Sequence, residues 1–172
     1  IGGIGSNVAR HLAQAGVRKV RIVDYDCVEA SNLNRQFYRL SQVGKKKTQS
    51  LEKNLHEIFP EMEIDSLDHE IGPGESEKIF SDCAVVVEGF DEKTLKKMII
   101  EELSPAGKII VSASGIAGLD MTKVDIKKIG TCHIVGDRVS DQEEYPLFPP
   151  KIALVTALMA GIVLEYVKDG LK

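Results

Sequence analysis

The feature that most constrains the fold is a regular alternation of helix-like and strand-like segments along nearly the whole chain. Apolar residues at three- and four-residue spacing predict helices, and short alternating or continuous apolar runs predict strands. Strands separated by helices pair in parallel through crossover connections. We therefore expect a Rossmann-like α/β fold, which is a mainly parallel sheet with helices on both faces.

The pattern sets the expected boundaries of these elements. Helices are predicted at residues 6–15, 44–59, 73–81, 91–103 and 151–168. Strands are predicted at residues 17–24, 62–67, 83–88 and 108–113, with a late antiparallel extension at 123–129 and 131–135. Apolar residues cover nearly all faces of the last helix, so we expect it to be largely buried. The acidic loop 137–150 is expected to be a mobile lid.

No linker or repeat divides the 172 residues, so we expect a single domain over residues 1–172. The chain starts at Ile1, inside a glycine-rich motif and without an initiator methionine. A strand normally precedes such a motif. We therefore expect the sequence to be truncated at its N-terminus and to lack that first strand.

Charge and cysteine content exclude several classes of protein. The net charge of −4 does not suit a global nucleic-acid-binding surface. Cys27, Cys83 and Cys132 form no CxxC pair, which favours free thiols in a reducing compartment and no zinc.

The longest apolar run, 152–164, is shorter than the roughly 20 residues of a membrane span. No signal peptide is visible, so we expect a cytoplasmic protein without a membrane segment.

A glycine cluster at the start of the chain predicts a nucleotide site. Gly2, Gly3 and Gly5 precede a helix, and Asp24 ends the following strand, 19 residues after Gly5. Glycines let the backbone approach phosphate, and the N-terminus of the helix supplies unpaired N–H groups. A carboxylate at the position of Asp24 can accept hydrogen bonds from ribose hydroxyls.

Further motifs make the prediction more specific. G-G-x-G-S occupies residues 2–6, D-x-D-x-V-x-x-S-N-L-N-R-Q residues 24–36 and G-x-x-K residues 44–47, and Asp91 follows a buried strand. Over residues 1–115 the chain resembles the ThiF/MoeB/HesA family, which is similar to the adenylating domain of ubiquitin-activating enzymes. Because it lacks paired cysteines, the chain resembles a compact zinc-free subgroup of this family that is associated with thiamine biosynthesis.

The resemblance implies a reaction and a set of site residues. The reaction is MgATP-dependent adenylation of the C-terminal glycine of a small ubiquitin-like sulfur carrier that ends in Gly-Gly, with release of pyrophosphate. A homodimer is expected on a separate ground, because the sheet of one chain covers only one side of the apolar last helix. Catalysis is assigned to Arg35, Lys47 and Asp91, and Asp91 also holds Mg²⁺. Nucleotide binding is assigned to Gly2, Gly3, Gly5, Asp24, Asn32, Arg35, Gln36 and Lys47. Cys132 is the one candidate for a sulfur-transfer thiol in a mobile loop.

Each of these residues also has an ordinary structural interpretation. Asp91 can cap the helix 91–103, and Arg35 can form a surface ion pair. Lysines 45–47 can be a solvated helix start, although cations there oppose the helix dipole. Cys132 can be a buried thiol in a strand.

Four other functions stay open. The substrate can be a carrier of the molybdopterin-synthase type or, as in some relatives, a tRNA carboxylate. An NAD(P)-dependent oxidoreductase needs the same glycine loop and an acid such as Asp24, but leaves Arg35 and Lys47 without a role. A non-catalytic partner of an activating enzyme would not need Arg35, Lys47 and Asp91.

Overall fold

The computed structural model describes residues 1–168 and confirms the Rossmann-like α/β architecture. The helices are α1 Gly3–Gln14, α2 Lys47–His56, α3 Ser76–Ile79, α4 Lys93–Leu103 and α5 Pro149–Val167. The strands are β1 Lys19–Asp24, β2 Glu63–Asp68, β3 Val85–Val87, β4 Ile109–Ala113, β5 Asp125–Ile129 and β6 Cys132–Gly136. Single 3-10 turns lie at Ala30–Asn32 and Leu40–Gln42.

The strands form two sheets. Strands β1 and β2 pair in parallel, and the second sheet has the order β3-β4-β6-β5. Strands β3, β4 and β6 are parallel, whereas β5 runs antiparallel to β6 and closes the sheet at its edge. This arrangement confirms the mainly parallel sheet and its late antiparallel extension. The strand expected before Ile1 lies outside the described residues.

All five predicted helix starts differ from those observed, each by two or three residues. Helix α1 begins at Gly3 rather than Ser6, so the glycines lie in its first turn. Helix α5 begins at Pro149 rather than Lys151. Proline is well suited to the first helical position, because its missing N–H would have no partner there.

Helix α5 packs on α1 and on strand β4. Val155 and Met159 are fully buried in a cluster with Val8 and Val111. Residues on the opposite side of the helix are exposed, among them Ala153, Ala157 and Gly161. By length and composition α5 is long and apolar enough to cross a membrane, a test that core helices also pass. The expected burial is therefore confirmed for one side of the helix only.

A buried ion pair fixes the loop between β6 and α5. Lys151 is 1% exposed, and its Nζ donates to Asp137 Oδ2 at 2.7 Å, to the Ala117 carbonyl at 2.6 Å and to Ser140 Oγ at 3.2 Å. Burial alone would raise the pKa of Asp137, but the bonds from Lys151 and Ser140 hold the pKa well below its ordinary value. These contacts anchor residues 137–140 of the loop 137–150, and the expected function of the loop as a mobile lid stays a prediction.

The strands on either side of this ion pair come very close together. Gly136 has φ +136°, and a Cβ there would lie 1.9 Å from the Ser114 carbonyl oxygen. Only glycine fits such a conformation at such a distance. The ends of β4 and β6 therefore form a rigid base for the loop.

We expect Lys151→Met to lower the free energy of unfolding by about 3–5 kcal/mol, because it leaves the Asp137 carboxylate buried without a cation. Thermal unfolding followed by circular dichroism measures the change. In the wild type, the depressed pKa of Asp137 means that this stabilisation is present above the ordinary pKa of 3.8 and is lost as pH falls below it.

The matched control is Lys97→Met, which breaks an exposed pair with Glu101 at 3.6 Å and should change stability by less than about 1 kcal/mol. Combining Lys151→Met with Asp137→Asn should recover part of the loss, since the buried charge is then gone. Equal effects of the two lysine substitutions would contradict the assignment of a stabilising buried pair.

Candidate functional site

The glycine loop forms an open helix N-terminus. Gly2 is the N-cap of α1 and supplies no side-chain cap, and the first bond within the helix runs from the Ser6 N–H to the Gly2 carbonyl at 3.0 Å. The N–H groups of Gly3, Ile4 and Gly5 therefore have no partner carbonyl within α1. These three donors, which have no partner within residues 1–168, and the positive end of the helix dipole favour a bound anion.

Two side chains of the motif at residues 24–36 approach this loop. A Cβ at Gly2 would lie 3.6 Å from Gln36 Nε2, and a Cβ at Gly3 would lie 3.7 Å from Arg35 Cγ. Gln36 is buried, and its Oε1 has no hydrogen-bond partner among the described residues. A buried polar atom without a partner is costly, so its position beside the glycines fits a site that binds a polar ligand.

Arg35 is half-buried as a residue, its guanidinium is exposed, and it has no carboxylate partner within residues 1–168. Its Nη1 donates to the Ser31 carbonyl at 3.0 Å and to Asn34 Oδ1 at 2.9 Å. The surface ion pair that was the ordinary interpretation of this arginine is not observed. These neutral acceptors orient the side chain and leave its positive charge available to an anion.

Ser6 and Asn7 connect helix α1 to the segment that contains Arg35 through hydrogen bonds. Asn7 Nδ2 donates to the carbonyls of Gly3 at 2.7 Å and Arg35 at 2.8 Å. Ser6 Oγ accepts from the Phe37 N–H at 3.0 Å. The sequence analysis missed this function of the two residues, although their place directly after the glycines was a signal.

Asn32 has a structural function. It is buried, and its Oδ1 accepts a hydrogen bond of 3.1 Å from the Glu29 N–H, which closes the turn Ala30–Asn32. The turn precedes Arg35 and sets its direction. Asn32 thus stabilises the turn that precedes Arg35, and its direct contact with a nucleotide stays a prediction.

Lys47 and the acids of the D-x-D motif form a second group. Lys47 Nζ lies 2.6 Å from Asp26 Oδ2, and the lysine side chain is only 8% exposed. Asp24 Oδ1 accepts from the Asp26 N–H at 2.8 Å. The sequence shows Asp26 as part of the D-x-D motif but does not predict its ion pair with Lys47, because that contact joins residues 21 positions apart.

Asp91 is exposed between β3 and α4. The N-cap residue of α4 is Glu92, not Asp91, and it makes no side-chain cap bond. The capping function that the sequence allowed for Asp91 is therefore absent. Within residues 1–168 no group of three or more His, Cys, Asp or Glu side chains could hold a metal ion. A divalent cation at Asp91 would need most of its oxygen ligands from a bound phosphate chain, which is how Mg²⁺ is commonly held.

Cys132 does not lie in a mobile loop. It begins strand β6, is 5% exposed, and packs with Phe80, Val86 and Ile110 in the core. Burial raises the pKa of its thiol, which disfavours the reactive thiolate. This position contradicts a sulfur-transfer function for Cys132 and agrees with the buried-thiol interpretation.

The fold and the glycine loop together define a class of protein, the α/β domains that bind a nucleotide at the carboxyl edge of a parallel sheet. Within that class the chain belongs to the ThiF family, whose sequence profile matches residues 1–168. This match confirms the resemblance drawn from the motifs.

Two proteins of similar sequence illustrate the relationship. Adenylyltransferase and sulfurtransferase UBA4 of Candida glabrata is 31% identical over 175 aligned positions, which cover 96% of this chain and 40% of that protein. Ubiquitin-like modifier-activating enzyme 5 of Dictyostelium discoideum is 41% identical over 71 residues, or 41% of this chain and 19% of that protein. The chain spans less than half the length of either relative.

Solved structures agree in fold. E. coli tRNA N6-threonylcarbamoyladenosine dehydratase TcdA, in complex with AMP, has a TM-score of 0.87 and 20% identity, with coverage of 99% of this chain and 84% of that one. E. coli MccB with ATP has a TM-score of 0.74 and 18% identity over 96% of this chain and 53% of that one.

Proposed function

We propose that the protein is an adenylyltransferase that activates the C-terminal glycine of a small ubiquitin-like carrier with MgATP. The observation that carries this proposal is the convergence of Arg35 and Gln36 on the glycine loop, where α1 presents free N–H groups. A hydride-transferring enzyme has no need for an arginine without a carboxylate partner at this place. Sequence similarity to UBA4 and to modifier-activating enzyme 5 supports the same reaction.

The reaction joins two anions. A carboxylate oxygen of the terminal glycine attacks the α-phosphorus, the bond from that phosphorus to the bridging oxygen breaks, and pyrophosphate leaves. The carboxylate is already ionised at neutral pH, so no general base is required. The free N–H groups of α1 would bind phosphate, and Arg35 and Lys47 would neutralise charge as it develops on the phosphoryl oxygens. Mg²⁺ at Asp91 would supply further neutralisation of the phosphate chain.

The carrier is proposed to be ThiS-like and to serve thiazole formation in thiamine biosynthesis. The chain has three dispersed cysteines and no CxxC pair, as in the compact subgroup that its sequence resembles. Because the related proteins include sulfurtransferases and modifier-activating enzymes, the carrier has to be identified by direct competition between substrates.

ATP–pyrophosphate exchange tests the proposal. Exchange is expected with a ThiS-like carrier that ends in Gly-Gly and not with the same carrier lacking its last glycine, the matched control. Faster exchange with a molybdopterin-synthase-type carrier would reassign the substrate. Activity on tRNA alone, NAD(P) reduction, or no exchange with any carrier would overturn the proposal.

We also propose a homodimer that covers the exposed side of α5. Ala153, Ala157 and Gly161 lie there in a row with half-buried Leu154 and Leu158. Ala157→Glu should convert the dimer to a monomer in sedimentation velocity, while the circular dichroism spectrum stays that of the folded chain because the residue is exposed in the single chain. Lys97→Glu, at an exposed position of α4, is the control. A monomeric wild type, or a dimer that survives Ala157→Glu, would contradict this interface.

A further inference from the structure

The end of strand β3 carries a buried carboxylate that the proposed reaction does not use. Glu88 follows Val87 directly and is 1% exposed. Its Oε1 accepts a hydrogen bond of 2.6 Å from the Phe90 N–H, and its Oε2 accepts one of 2.5 Å from Ser112 Oγ. Burial of a carboxylate is costly unless its oxygens have partners, so Glu88 can occupy this place only while these contacts hold.

An ammonium group completes the environment of Glu88. Lys96 Nζ lies 2.6 Å from Glu88 Oε2, and the lysine side chain is 23% exposed. Lys96 belongs to α4, Ser112 to β4 and Phe90 to the turn between β3 and α4. One carboxylate therefore ties three segments of the chain together, and its charge is balanced by Lys96.

The turn that Glu88 holds lies against the glycine loop. A Cβ at Gly89 would be 3.4 Å from the Gly5 nitrogen and 3.7 Å from Ile4 Cβ. Gly5 is one of the residues whose N–H is free within α1. A change in this turn would therefore alter the wall of the phosphate-binding loop.

Glu88 forms hydrogen bonds on both sides of Asp91 in the sequence. It accepts one from the N–H of Phe90, the residue before Asp91, and one from Lys96 in the first turn of α4. Asp91 itself is exposed and is not the helix cap, so its own contacts do not set its position.

We infer that Glu88 is a positioning residue that holds the β3–α4 turn so that Asp91 faces the metal on the bound nucleotide. This inference rests on the proposed function of the site. A residue that supports a metal ligand alters metal affinity without touching the metal. A residue needed only for folding alters stability and leaves the effect of the metal unchanged.

Equilibrium binding of ATP, measured by calorimetry without any carrier, separates these two possibilities. In Glu88→Gln the gain in ATP affinity on adding Mg²⁺ should fall by about tenfold, as is typical when a supporting contact of a metal ligand is lost. Affinity for metal-free ATP should fall by a clearly smaller factor, because Arg35, Lys47 and the glycines themselves are unchanged. Glu101→Gln, on the exposed side of the same helix, should match the wild type in both measurements.

Two further variants keep the test decisive. Ser112→Ala removes one hydroxyl from the same carboxylate and should reduce the Mg²⁺ effect in the same direction if Glu88→Gln does not fold. Lys96→Arg keeps the cation and should retain most of the Mg²⁺ effect. An unchanged Mg²⁺ effect in Glu88→Gln, or in Ser112→Ala where the former is unfolded, would overturn the inference whatever happens to the melting temperature.

The result can be separated from that of the proposed function. If the wild type binds MgATP but exchanges pyrophosphate with no carrier, the proposed reaction fails, whereas the Mg²⁺ comparison still decides on Glu88. If the wild type gains no ATP affinity from Mg²⁺, the inference about Glu88 is overturned.

Discussion

Asp91→Asn is expected to lower ATP–pyrophosphate exchange by about 10²-fold or more, a loss typical of removing one preorganised electrostatic group. The substitution keeps the size of the side chain and removes its charge. Asp91 is exposed and does not cap α4, so the melting temperature should not change. Raising the Mg²⁺ concentration should restore part of the activity, because mass action offsets weaker coordination.

Glu92→Gln provides the control for this experiment. It removes the same charge from the neighbouring exposed position, so it reproduces any general change in the local potential. Its exchange activity should remain close to that of the wild type. Full activity of Asp91→Asn at low Mg²⁺ would remove Asp91 from the site, as would equal losses in the two variants.

Lys47→Met should reduce exchange by about 10²–10³-fold, since a fixed cation near the phosphates contributes most when water is excluded. The Lys47 side chain is 8% exposed and is held by Asp26 at 2.6 Å, so its ammonium is already oriented before ATP binds. Steady-state measurements over a range of ATP concentrations show whether the loss is in kcat or in the KM for ATP. A transition-state interaction predicts a loss mainly in kcat.

Asp26→Asn tests whether the ion pair or the cation matters. This change keeps Lys47 and an oxygen that can accept its hydrogen bond, so exchange should fall by less than about tenfold, within the effect of one ordinary hydrogen bond. Because the Asp26 side chain is 45% exposed, folding should tolerate the change. A larger loss in Asp26→Asn than in Lys47→Met would contradict a direct electrostatic function of the lysine.

Local patterns in the sequence predicted the elements of the fold and most of the residues around the glycine loop. The alternation of segments specified a parallel sheet, and the spacing of glycines and Asp24 specified a nucleotide site. These signals work because hydrophobic periodicity and backbone constraints are properties of short segments. Arg35 and Gln36 lie beside the glycines in the structure, and their binding of a nucleotide stays a prediction.

Contacts between distant segments could not be predicted. Lys151 begins the predicted helix 151–168, yet it is fully buried against Asp137. Glu88 was treated as the end of an apolar strand, although it joins β3, β4 and α4. Both contacts depend on strand order and register, which a single sequence does not specify. Cys132 lies in the predicted strand 131–135, and the degree of its burial follows from the position of β6 beside β4.

Strand β5 forms the outer edge of the second sheet, and all five of its residues are exposed. Its free backbone groups and the outward side chains of Ile126 and Ile129 could recruit a strand from another molecule. Lys127 and Lys128 place two positive charges on this short strand, so a second copy aligned along it would meet like charges. The two lysines of β5 thus disfavour edge-to-edge pairing between copies of the chain. This edge strand has no covering helix among the described residues.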